Sequence, residues 1–221
     1  MPIEDMHGEE VMLYVKGKDG YSMHLPAYVE YATQDAETNS FVGRVWAPAK
    51  PFDWQDDKGI AISNMPLLIY ECHIGMAQEV EGVGTYKQFE ENIIPYIKDL
   101  GYNVLQIMAI AEHPYYGSFG YQVSNFFAPS SRFGTPDDLK QLIRTAHANG
   151  IAVVMDLVHA HYVANTTEGL NMIDGDENLY SPKESENIHP YWKTKLFDYS
   201  DINVQRFLLS NIRYWMEEYH I

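Results

Sequence analysis

Cysteine is almost missing: Cys72 stands alone in 221 residues. No disulfide can form within the chain, and that usage suits a reducing compartment. Bases are scarce, 15 against 31 acids, for a formal net charge of -16. So acidic a surface repels phosphate backbones and anionic headgroups, which argues against nucleic acid and membrane surfaces as partners. A neutral or cationic ligand fits better. No apolar run approaches the ~20 residues a membrane helix needs. Low-complexity segments and short-period repeats are also absent. The opening MPIEDMHGEE is acidic and has no apolar core, so it does not read as a secretory signal.

Apolar and aromatic residues are plentiful. The chain is 46% hydrophobic and 14% aromatic, with 17 tyrosines. That suffices for one large core, or for a large domain beside a small one. Tyrosine in such numbers fits a tyrosine-rich core or stacking platforms for flat apolar ligand faces, and composition does not choose between them.

Residues 1–54 have β character. VMLYVKGKDGYSMHL holds a KGKDG turn between two strand-like runs, and AYVEYATQ and SFVGRVWA form a second pair joined by DAETN. The region is short for a sandwich. A break at APAKPFDWQDDKGIAISN makes 55–65 a linker. From residue 66 the pattern alternates. PLLIYECHI, NVLQIMAI and IAVVMDLV read as strands buried on both faces. YKQFEENIIPYIKDLG predicts a helix with Phe89, Ile93, Ile97 and Leu100 on one face, Pro95 as a possible kink and Gly101 as the stop. GTPDDLKQLIRTAHANG predicts another, with Thr135 as N-cap, Pro136 at the first helical position and Asp137 and Asp138 at the positive end. DINVQRFLLSNIRYWMEEY closes the chain as a helix with Val204, Leu208, Ile212 and Trp215 inward. Long loops follow strands and short ones follow helices. The fold class expected is therefore α/β: a partial (β/α)8 TIM barrel over 66–221, comprising its first three βα units.

Two stretches carry candidate chemistry. MDLVHAH puts Asp156, His159 and His161 at the end of the third strand. They could be satisfied structural groups, a zinc site, or a sugar site in which imidazoles meet ligand hydroxyls. EHPYYGSFGY places Tyr115, Tyr116, Phe119 and Tyr121 on a glycine hinge. Gly117 and Gly120 permit turns that aim Tyr121 inward. Pyranose rings stack on aromatic faces and need polar partners at the rim. A row of tyrosines therefore favours the sugar reading over a metal hydrolase.

YECHIG, GTYKQF, the succession from GYNVLQIMAI through EHPYYGSFGYQ and FGTPDDLK to DLVHAH, GLNMIDG and FLLSNIRYWMEEY together resemble the 1,4-α-glucan branching enzymes of glycoside hydrolase family 13. The resemblance spans roughly 66–221. Residues 1–54, with VWAPAKPFDW, are more weakly similar to the C-terminal half of the β-sandwich carbohydrate-binding module of family 48. It implies a retaining enzyme of glycogen biosynthesis that cleaves an α-1,4 glucosidic bond and transfers the glucan to a 6-hydroxyl. It implies Tyr121 as a ring stacked on the donor glucose, His161 as its hydrogen-bond partner and Asp156 as the support beneath. His159, Tyr116 and Trp192 complete the implied substrate-binding set, α-1,4-glucan is the implied partner, and a cytoplasmic protein without cofactor or resident metal is implied with them. Ala160 stands where related amylases have Asn. The loop before Tyr199 keeps Trp192, Leu196 and Phe197 but lacks the family's Tyr-Phe-His and Arg-Gly elements. The nucleophile and general acid are expected beyond Ile221, so the chain alone is expected to be inactive, and its open sheet edges to favour association. The alternatives are an α-amylase-like hydrolase, a non-catalytic α-glucan-binding protein, and a zinc hydrolase using Asp156, His159 and His161.

Overall fold

The structure, a computed structural model, describes residues 2–17, 20–63, 66–183 and 187–221. A single 3-10 turn at Ile3–Met6 precedes five short strands: β1 (Glu10–Val11), β2 (Leu13–Gly17), β3 (Gly20–His24), β4 (Ala32–Gln34) and β5 (Phe41–Arg44). β2 and β3 form the expected hairpin with Gly17 opposite Gly20. Lys18 and Asp19 of its KGKDG turn lie outside the described residues. β5 is the centre of the sheet β1-β5-β4. The strand expected over AYVEYATQ is reduced to Ala32–Gln34. Ahead of it the chain turns, with the Val29 N–H donating to the Pro26 carbonyl.

This region has a small core of its own, made of Leu25, Val29, Ala32 and Phe41. It also docks directly onto the rest of the chain. The Tyr28 ring lies 4.8 Å from Phe127 and 5.4 Å from Phe207. Arg132 donates to the Gln34 side chain at 2.8 Å. Within the expected linker, Asn64 and Met65 lie outside the described residues.

β6 (Ile69–Cys72), α1 (Tyr86–Asp99), β7 (Val104–Ile107), the short strands β8 (Ala111–Glu112) and β9 (Asn125–Pro129), α2 (Pro136–Ala148) and β10 (Ala152–Met155) follow. The chain then forms β11 (His161–Tyr162), β12 (Lys195–Leu196) and α3 (Ile202–Tyr219). β6, β7 and β10 pair in parallel, in the order β10-β7-β6. β7 is central and mostly buried, as its apolar run predicts. β6 is not buried on both faces: it alternates exposed with half-buried. It is an edge strand, and Leu67, Leu68 and Ile69 remain open to solvent.

Local chemistry sets the helix ends. Thr135 caps α2 in a box with Asp138, with Pro136 at the first helical position. Thr85 and Gln88 form the same box on α1. Gly101 and Gly150 end the two helices with positive φ, at 83° and 76°. In each case the next two N–H groups bond back onto the last turn: Gly101 to Lys98 and Tyr102 to Ile97, Gly150 to His147 and Ile151 to Ala146. α1 runs unbroken through Pro95. Glu91, whose carbonyl loses its partner there, lies on the exposed face, where the lost bond costs less than it would in the core.

The inward faces differ from the expected ones by small rotations. Ile94 is buried in α1 while Ile93 is half-buried and Leu100 exposed. Phe207, Asn211 and Tyr219 join Val204, Leu208 and Trp215 on α3, and Ile212 turns outward. For α3 the reason is β9, which the sequence pattern leaves as loop. All five of its residues are buried. Its Phe126 carbonyl accepts from the Asn211 amide at 2.6 Å and the Trp215 indole at 3.1 Å, fixing the rotation of α3. Among the described residues no helix is long and apolar enough to cross a membrane.

Asp57 ties the segment after β5 to two helices. Its carboxylate accepts from His147 Nδ1 and His220 Nδ1, each at 3.0 Å, and the His220 ring stacks on Trp54. Burial opposes the charge, but these hydrogen bonds prevail and hold the carboxyl below its ordinary value. A lowered carboxyl contributes stability above the unfolded value near 4, and loses it as pH falls through the folded value. Asp57→Asn should destabilise the chain by about 1–3 kcal/mol at pH 6.5. Thermal melts check this: the gap to wild type narrows only as pH falls below about 4 and through the folded value, and a gap that ignores pH would remove the carboxylate from the account.

Candidate functional site

The sheet carries the site at the C-terminal ends of its strands. β10 ends at Met155, and Asp156 follows with its N–H bonded to the Ile107 carbonyl of β7 at 3.1 Å. From β7, Gln106 Nε2 donates to Asp156 Oδ1 at 2.9 Å. From the aromatic loop, the Tyr121 hydroxyl donates to Asp156 Oδ2 at 2.6 Å. Both oxygens of the carboxylate are thus engaged, one by the sheet and one by the loop. Burial pushes the Tyr121 hydroxyl up to about 12, helped by the hydrogen bond and charge of Asp156 and by the charge of Glu71. It stays a donor at any physiological pH.

The loop reaches this position through its glycines. Residues Tyr116–Ser118 form a 3-10 turn, and Phe119 and Gly120 both adopt positive φ, 53° and 88°. A Cβ on Gly120 would fall onto the Ala109 carbonyl oxygen. One on Gly117 would sit 2.5 Å from the Tyr115 ring. The base of the loop is clamped by Glu112, which is buried and accepts from Ser130, Ser131 and the His113 N–H. Burial drives His113 down to about 4. Its Nδ1–H donates to the Ala111 carbonyl and its Nε2 accepts from Arg132. The tautomer is therefore fixed.

Tyr121 is shared by two cavities. One, of about 630 Å³, is lined by Met155, Asp156, His159 and Tyr199 among others. The second, of about 400 Å³, is lined by Ser118, Gln122, His161 and Trp192. Both fall in the size range of small-ligand sites. His159 Nε2–H donates to the Asn211 side-chain oxygen at 2.8 Å, and the Tyr199 hydroxyl donates to the His159 carbonyl at 2.7 Å. His161 is 5% exposed, and its Nδ1 has no partner among the described residues. Burial, and the neighbouring His189, hold both the charge and the pKa of His161 down. The imidazole, held neutral, lines the second cavity, while its unpaired Nδ1 is itself buried. The Trp192 ring lies 5.0 Å from His161 and stacks on His189 at 4.1 Å, leaving 58% of the residue exposed.

Of the six residues singled out in the sequence, Tyr121, Asp156, His159, His161 and Trp192 line these two cavities. Tyr116 does not. It packs edge-on against His73 with the Arg132 guanidinium over its ring, on the supporting side of the loop. Asp156, His159 and His161 do not gather as metal ligands, and no group of three such residues does so among the described residues. Sequence reading missed Gln106, Gln122, Ser118 and Tyr199. Gln106 had a signal, an amide in the otherwise apolar run NVLQIMAI. Ser118, Gln122 and Tyr199 stand in the motifs that carry the resemblance, GSFGYQ and the stretch from Trp192 to Tyr199, but nothing there gave them a role.

The family model described as the catalytic domain of alpha amylase matches residues 76–195. Proteins named 1,4-alpha-glucan-branching enzyme are similar over nearly the whole chain. The one from Yarrowia lipolytica is 46% identical, the one from Dictyostelium discoideum 41%; each match covers 97% of this chain and 31% of the relative. The protein of that name from Felis catus is 42% identical, over 96% of this chain and 30% of its own length. A crystal structure from Salmonella typhimurium, assigned provisionally to the alpha amylases, superposes with a TM-score of 0.71 at 26% identity, over 92% of this chain and 32% of that one. The chain thus spans about a third of the length of the relatives it matches. Its α/β fold is amylase-like, and the chain belongs to the alpha-amylase family.

Proposed function

We propose that this chain forms the donor-sugar wall of a 1,4-α-glucan branching enzyme. The observation that carries the reading is Tyr121: its hydroxyl is fixed on Asp156 while its ring borders two cavities, the second also lined by the neutral imidazole of His161. A pyranose face would stack on the Tyr121 ring while His161 binds a hydroxyl. Asp156 would orient the tyrosine, His159 would shape the floor, and Trp192 would border the neighbouring glucose. Tyr116 would act from behind, by backing the loop.

In the parent reaction a carboxylate attacks the anomeric carbon as an acid protonates the departing 4-oxygen. The resulting glycosyl-enzyme is then attacked by a 6-hydroxyl, whose proton returns to that same acid. Two carboxyl groups ~5 Å apart are needed. The two cavities contain one carboxylate, Asp156, and both its oxygens are committed. The residues here therefore bind and orient sugar while the reacting carboxyls come from elsewhere in the parent. Residues 1–54, with their small separate core, fit part of a carbohydrate-binding module; 55–65 fit a linker, and 66–221 the first three βα units of the barrel. The single cysteine suits a reducing, intracellular setting, and the branching reading puts the parent in glycogen building.

An α-amylase-like hydrolase would use the same donor wall, and the names of the relatives favour branching. The test is to titrate the 221-residue chain with maltoheptaose and assay it with amylose. Binding without branching or release of reducing ends is the expected result. Turnover by the pure chain would overturn the assignment of roles, and absence of binding would remove the sugar site.

A further inference from the structure

We propose that Gln106 is a positioning residue for the sugar-stacking ring: its amide holds the Asp156 carboxylate in the orientation that receives the Tyr121 hydroxyl. The inference rests on the donor-wall reading above.

Gln106 lies on β7, the strand paired on both sides, opposite Glu71 of β6 and Val154 of β10. Its neighbours Val104, Leu105 and Ile107 are buried and apolar. An amide at this level is costly unless bonded, and packing does not call for one. Its donor goes to Asp156 Oδ1. That leaves Oδ2 for Tyr121. Rotation about the terminal torsion of an aspartate is soft, so a carboxylate held at one oxygen swings readily. Held at both, it becomes a fixed acceptor. The sheet anchor matters because Tyr121 comes from a loop built on glycine. Gln106 touches neither cavity, since it is absent from both linings. It acts through Asp156.

The titratable groups around the amide are Glu71 on β6, Asp156 after β10 and Tyr121 on the loop, with His159 in the same cavity. Replacing Gln106 by Glu gives a side chain that donates to Asp156 only while the new pair shares a proton. Two adjacent carboxyls keep such a proton to higher pH than either alone.

The experiment follows maltoheptaose affinity and the ring-carbon signal of Tyr121 in protein labelled with ¹³C-tyrosine. Gln106→Leu should bind roughly tenfold more weakly, shift the Tyr121 signal and still unfold cooperatively. Gln106→Glu should match wild type at pH 5 and lose roughly tenfold by pH 8. Unchanged affinity in Gln106→Leu, or a loss in Gln106→Glu that ignores pH, would overturn the proposal. If wild type itself does not bind maltoheptaose, the donor-wall reading fails instead. The Tyr121 signal then decides alone: a shift in Gln106→Leu supports the positioning role, and an unmoved signal removes it.

Discussion

Tyr121→Ala lowers the affinity of the chain for maltoheptaose by roughly thirtyfold, about 2 kcal/mol. The substitution removes the one ring common to both cavities. It also strips Asp156 Oδ2 of its donor, leaving a half-buried carboxylate with Gln106 alone. Tyr121→Phe separates the two effects. It keeps the stacking face and loses the hydroxyl, so it should cost about fivefold. Calorimetric titration reads both. Equal losses in the two variants would assign the effect to the hydrogen bond and leave stacking without a role. No loss in either would move the sugar away from this ring.

Gly120→Ala is the second large effect, and it acts on the fold. The residue sits at φ 88°, where a side chain is strained, and its Cβ would meet the Ala109 carbonyl oxygen. Backbone cannot step aside as a flexible side chain can. The loop must shift, at a cost of about 3 kcal/mol, and Tyr121, the very next residue, shifts with it. Gly101→Ala is the control: φ is also positive, 83°, but the space is open. It should cost about 1 kcal/mol and leave sugar binding intact. Thermal melts and maltoheptaose titration together check the pair. If Gly120→Ala is as mild as Gly101→Ala, the close approach to Ala109 does not hold the loop.

Local signals read well in this sequence. Thr135, Pro136 and Asp138 dictate the start of α2 because their side chains and ring act within one turn. Gly101 and Gly150 mark helix ends for the same reason. Asp156, His159 and Tyr121 were legible as a set because a strand end and a glycine hinge flag positions where side chains face a ligand. What the pattern missed depends on partners far along the chain. Ile94 rather than Ile93 is buried because α1 packs against α2, a choice of a few tens of degrees that both residues satisfy locally. β9 escaped notice because Asn125 and Pro129 bound an apolar run of only three residues, Phe126 to Ala128, too short to read as a strand. β6 looked like a central strand and is an edge: composition reports apolarity, whereas pairing decides exposure. Gln106 could have been noticed as a polar exception, but its partner lies 50 residues away.

The central claim is that an α-1,4-glucan occupies the two cavities that share Tyr121. The most direct measurement is an amide and aromatic chemical-shift map of the chain titrated with maltoheptaose. The account predicts shifts at Tyr121, Gln122, Asp156, His159, His161 and Trp192, with the His161 ring among the largest. Shifts confined to the separate cavity beside the β2–β3 hairpin, around Tyr21 and Met172, or no shifts at all, would contradict it.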